Sequence, residues 1–196
     1  MLDWLVARAA TIVTHTEPPR IFTEFGRHPR LFRAWLPFAG TLLLGGDLPR
    51  ADAEVLILRT AWNCNSRYEW VHHAVLGQRA GLRPAQVAAI AKGPTAHGLS
   101  RRQRLLVQAA DDLHADRTLR SPTLAALGDV FTDRQRIELC VLVGHYEMLA
   151  MVLNSRAVEP EPAALDHLHG RVASLADELA PAGTERVLAS VASRGD

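Results

Sequence analysis

Apolar residues recur along this chain at intervals of three and four between Pro and Gly breaks, the period of an α-helix; no stretch alternates at two over the length of a strand. The pattern therefore predicts an all-helical fold. A short helix over Arg20–Gly26 precedes His28-Pro29. Leu31, Trp35, Phe38 and Leu42 then trace one face up to the Gly45-Gly46 break, with Pro37 expected to kink the helix. Residues 51–63 form a strongly apolar helix carrying Asp52 in its first turn, where a carboxylate suits the helix dipole, and Glu54 just after it. The next helix covers residues 66–80, with Ser66 as N-cap, Glu69 completing a capping box and Gly81 ending it. Further helices are expected over Pro84–Lys92 and over residues 100–116, 122–130 and 133–154, the last as the core helix. Beyond the EPEP break, residues 167–180 and 184–193 read as amphipathic helices outside the main body.

A length of 196 residues with 48% hydrophobic and 22% charged residues suits one substantial core. Domain boundaries are set at 1–162 for the helical domain and 163–196 for a C-terminal tail. A net charge of +1, with dispersed Arg and a single Lys, gives no nucleic-acid footprint. Asp3 and Arg8 interrupt the apolar N-terminus, so neither a signal peptide nor a membrane anchor is expected, and a cytoplasmic location follows. Cys64 and Cys140 lie far apart, which argues against a disulfide framework, a zinc site or a dithiol centre. No nucleotide motif occurs, and no metal or cofactor is expected.

Ser66, Glu69 and His73 stand at i, i+3 and i+7, on one face of their helix. The short connection at residues 63–65 folds the preceding helix back, so Glu54 is expected to meet His73 as a carboxylate–imidazole relay. Trp62, Tyr68 and Trp70 supply aromatic surface for a substrate, with Ser66 as a polar contact. Spacing alone equally admits a bland reading in which Glu69 caps a helix and His73 satisfies a buried polar network. Elsewhere, His167-x-His169 reads as a solvated pair rather than a metal site, His72 as a contact residue, and His145-Tyr146 as a core or interface pair. Two stretches share a loose pattern: Asp52 leads through an apolar helix to Tyr68-Glu69, and Asp133 leads likewise to Tyr146-Glu147.

The run from Glu54 through LILRTAWNCNSRYEWVHHAVLGQRAGL resembles the signature of the carboxymuconolactone decarboxylase and alkylhydroperoxidase-D-like family, where a Glu is followed by C-x-x-C-x-x-x-H. Matching His73 to the motif histidine puts Ser66 and Glu69 at the two cysteine positions. The stretch from Ile137 to Val158 is similar to the second-half helix of longer members. The resemblance implies an antiparallel helical bundle that assembles as trimers or hexamers, with active sites near subunit contacts. It also implies a Glu–His proton relay acting on a small-molecule substrate. Peroxide reduction through paired thiols is chemically unavailable here, and Cys64 is two residues out of register. Glu69 and His73 instead resemble the decarboxylase branch, so His73 is expected as base, Glu54 as its orienting group and Glu69 as acid. A residual antioxidant activity and a non-catalytic ligand-binding oligomer are the rival readings.

Overall fold

The structure is a computed structural model that describes residues 19–179. The expectations for residues 1–10 and 184–193 lie outside that span. The described residues form ten helices and no strand: α1 (Arg20–Gly26), α2 (Pro29–Leu44), α3 (Arg50–Asn63), α4 (Arg67–Arg79), α5 (Pro84–Lys92), α6 (Arg101–Asp116), α7 (Ser121–Gly128), α8 (Asp133–Ser155), α9 (Pro162–Leu165) and α10 (Gly170–Glu178). Within the described span the helices expected from periodicity are present with ends shifted by up to three residues, and the four-residue α9 is an addition to them.

Helix α3 is central because its sequence leaves it no polar side. Val55, Leu56, Ile57 and Leu58 are consecutive and essentially fully buried, a pattern stable only when neighbours cover every face. Helices α4, α5, α6 and α8 supply that cover. Arg59, on the same helix, bonds both carboxylate oxygens of Asp111 on α6 and the carbonyls of Ile90 and Ala91 on α5. This one guanidinium ties three helices together. Arg59→Ala is expected to lower unfolding stability by about 2–4 kcal/mol, since it leaves Asp111 and two carbonyls short of a donor; a denaturant melt of the variant checks this.

The elbow between α3 and α4 positions everything that follows. Asn65 takes a left-handed conformation at φ 51°, and the Ser66 amide reaches back to the Ala61 carbonyl at 2.8 Å, the six-to-one closure of a Schellman turn with Asn in the usual glycine place. Gly77 lets α4 lie close against α3: a Cβ there would stand 3.1 Å from Leu82, 3.4 Å from Leu58 and 3.6 Å from the Cβ of Glu54.

Three expectations are corrected. Of the face expected on helix α2 only Trp35 and Leu42 are buried, while Leu31 and Phe38 are exposed. The inner face of α2 brings Phe32 and Trp35 into an aromatic cluster with Phe22 and Phe25 of α1. The described part of the tail also belongs to the body: Leu168, Val172, Leu175, Ala176 and Leu179 enter the common core, and α10 packs on α4 and α5. Finally, Ser66 occupies the N-cap of α4, yet its hydroxyl makes no capping bond, so the expected capping box with Glu69 does not form.

Helix α8 is long and apolar enough to cross a membrane, and half of its apolar window is buried inside the protein. Its outer side carries Ile137, Val141, Gly144, Met148 and Met151, exposed and spaced 4-3-4-3.

Candidate active site

Glu54 and His73 meet across the α3–α4 elbow. Glu54 Oε2 lies 2.8 Å from His73 Nδ1, and both side chains are buried, with relative exposures of 0% and 8% for the residues. Arg50, one turn earlier on α3, pairs with the other carboxylate oxygen and also donates to the Leu43 carbonyl at 2.7 Å. A carboxylate already held by a guanidinium acts as an acceptor, so Nδ1–H donates to Glu54 and Nε2 is left as the basic nitrogen. Arg50 escaped the sequence reading, although its R-x-x-x-E spacing is a visible signal.

Glu69 sits one turn before His73 and is 2% exposed. Neither of its oxygens finds a hydrogen-bond partner of ordinary geometry, and neither does the Ser66 hydroxyl. Burial pushes its carboxyl up to about 8, with Ser66 near enough to oppose the shift only partly. Near neutral pH this is a carboxylic acid carrying its proton, one turn before the His73 imidazole.

Helix α8 closes the site from the other side. The Tyr146 ring stands edge-on to His73 with centroids 4.9 Å apart, and the His145 ring meets Tyr146 at 5.3 Å. Burial, then the charges of Glu54 and Glu69, hold the Tyr146 phenol protonated far above its ordinary range. His145 is pushed down to about 4 by burial first and by His73 second, so it is neutral at ordinary pH. Trp35 and Phe38 of α2 pack on His145 at 6.2 and 5.3 Å. The expected core or interface pair thus borders the site, a proximity that His73 and Tyr146, 73 positions apart in sequence, do not reveal.

The three aromatic residues expected as lining make their ring contacts with one another or with His72. Tyr68 shares the His72 face of α4, where its hydroxyl donates to Glu161 at 3.1 Å and accepts from the Ile21 amide at 3.2 Å, tying α1 to the segment that follows α8. Trp62 and Trp70 pair with each other at 5.3 Å, with Trp70 fully buried. Two hollows of the described surface lie elsewhere, one beside Arg67 and Asn154 and the other beside Arg101 and Gln108. Within one chain the Glu54–His73 site is closed rather than a cleft.

Cys64 caps the C-terminal end of α3, half-buried, and its thiol faces His114 on α6 rather than His73. Burial, then the negative charges of Glu147 and Glu69, push it up to about 12, the opposite of an activated thiol. His167 is exposed, and its Nδ1 lies 2.6 Å from the Ala163 carbonyl oxygen.

Residues 29–112 match the carboxymuconolactone decarboxylase family. No curated protein matches the chain. Two solved structures share the fold. A peroxidase-related protein from Silicibacter sp. TM1040 superposes with a TM-score of 0.72 at 16% identity, over 80% of this chain and 83% of that one. A peroxidase-related protein from Ralstonia eutropha JMP134, described as an alkylhydroperoxidase AhpD core, superposes with a TM-score of 0.71 at 19% identity, over 81% and 86%.

Proposed function

We propose, from the premise that residues 29–112 make this chain a member of the carboxymuconolactone decarboxylase family, that it is a cofactor-independent acid–base enzyme for a small lactone acid or related carbonyl compound. One observation carries the reading: a fully buried carboxyl without a hydrogen-bond partner, Glu69, lies one turn from an imidazole oriented by a second buried carboxylate. Burying an unsatisfied carboxyl costs stability, and a protonated acid next to a poised base is the arrangement that proton delivery to a carbanion-like carbon requires. His73 Nε2 removes the proton, Glu54 and Arg50 hold the imidazole in that tautomer, and Glu69 supplies a proton to the developing carbanion or leaving oxygen. Ser66, at the head of α4 with its hydroxyl unpaired, is the group best placed to bond a substrate oxygen.

The experiment is a turnover assay of chelator-treated protein against carboxymuconolactone, other small lactone acids and keto acids, followed by ultraviolet absorbance and by proton exchange in heavy water. Turnover or exchange of at least one such compound is expected; silence across the panel under conditions where the protein is folded would refute the reading.

Oligomerisation completes the proposal. The exposed 4-3-4-3 stripe on α8 has the spacing with which helices pack side by side, and Gly144 in its middle permits close approach, as nothing stands within 4 Å of a Cβ built there. A second copy of the chain is its proposed partner, consistent with a trimer or hexamer. Met148→Glu is expected to shift the protein to monomer in light scattering while its circular dichroism is retained; an unchanged mass would exclude this face.

A further inference from the structure

Outside the Glu54–His73 site, three metal-binding side chains from three different elements converge. Cys64 comes from the α3–α4 elbow, His114 from the last turn of α6 and Glu147 from α8; their donor atoms all lie within 4.8 Å of one another. Cys64 Sγ is 3.8 Å from His114 Nδ1, and Glu147 Oε1 is 2.8 Å from the same nitrogen. A nucleophile triad would use opposite ring nitrogens, one for the thiol and one for the orienting carboxylate. Here both partners address Nδ1, which is the geometry of donors gathered around a point and not of a relay.

The geometry points to a binding site for a zinc-class divalent ion held by Cys64 Sγ, His114 Nδ1 and Glu147 Oε1, with the fourth position open to solvent or a small ligand. In a tetrahedral site with bonds of about 2.0–2.3 Å, neighbouring donors stand roughly 3.3–3.5 Å apart. The Sγ–Nδ1 separation needs to close by a few tenths of an ångström and the Nδ1–Oε1 separation to open by about half an ångström. A sulfur and an imidazole nitrogen among three donors select against calcium and magnesium, which take oxygen. Arg117 bonds the second oxygen of Glu147, so the carboxylate is oriented from behind while Oε1 remains the ligand. Partial exposure of Cys64 and His114 leaves the ion a route in. Binding replaces the thiol proton: the ion takes up thiolate, imidazole and carboxylate, and one proton is released to solvent. The ion clamps the elbow that presents Ser66 and Glu69 to α6 and α8, and the cysteine spacing that argued against zinc missed it because the donors come from residues 50 and 33 positions apart.

The test uses full-length, tag-free protein stripped with chelator, in a Cys140→Ser background so that one thiol remains. Cobalt(II) titration is expected to saturate at one equivalent with a thiolate-to-cobalt charge-transfer band and tetrahedral d–d bands. Both are expected to vanish in Cys64→Ser and in His114→Ala. Zinc is expected to raise the melting temperature of the parent and of neither variant. His167 and His169 carry no sulfur, so an ion held there gives no such band. Absence of the band in the folded parent, or its persistence without Cys64, overturns the site. Because these readouts are independent of turnover, the metal site and the acid–base reading stand or fall separately.

Discussion

His73→Gln is expected to reduce turnover of a responding lactone or keto acid by about 10²- to 10⁴-fold, the usual contribution of a positioned base, with little change in KM. Glutamine keeps a polar group of similar reach next to Glu54, so the fold should survive and the loss should reside in kcat. Glu54→Gln should fall in the same direction for a different reason. An amide both donates and accepts, so it no longer selects the tautomer with Nε2 free, and Arg50 loses its carboxylate partner. Thermal melts of both variants separate catalytic loss from unfolding. If His73→Gln turns over as fast as the parent, the base lies elsewhere and the proposed mechanism is wrong.

The second large effect is on the pH dependence of stability and is read at Glu69. Its carboxyl titrates near 4.5 when unfolded and at about 8 when folded, because burial disfavours its charged form. Between those values the folded chain holds a proton that the unfolded chain has released, so stability falls as pH rises from about 4.5 to about 8 and is level beyond. Converted at about 1.4 kcal/mol per pH unit, the full shift amounts to on the order of 4–5 kcal/mol. His145 acts in the other direction. Its folded value of about 4 lies below the ordinary 6.5, so the unfolded chain takes up the proton first and stability rises with pH across that interval. Between about pH 4.5 and 6.5 the two slopes oppose each other. Glu69→Gln should therefore expose the rising His145 limb, abolish the decline toward pH 8 and make the protein more stable than the parent above it. Activity that relies on Glu69 as acid should fall as pH passes about 8 in the parent. Denaturant melts across pH, with carboxyl carbon NMR of the parent, provide the measurement; a Glu69 resonance titrating near 4.5 would remove both the stability argument and the assignment of the acid.

Much of this was legible along the chain, for reasons that are local. Helix periodicity, Pro and Gly breaks and caps act over a few residues, so every described helix but the four-residue α9 was readable, as was the common face of Ser66, Glu69 and His73 on α4. The short elbow at residues 63–65 forces α3 to fold back, and with that the meeting of Glu54 and His73 was also determined by sequence alone.

The remainder depended on which helices pack against one another, and a solvent-free interior does not announce itself in spacing. The side of α4 that faces Glu161 and the side that faces Glu54 differ by a single residue, which is why Tyr68 belongs to one cluster and Glu69 to another. Only the tertiary structure put Tyr146 against His73, brought Cys64, His114 and Glu147 to one point, and drew α10 into the core. Those contacts are settled by burial summed over several helices at once, a quantity that no short stretch of residues contains.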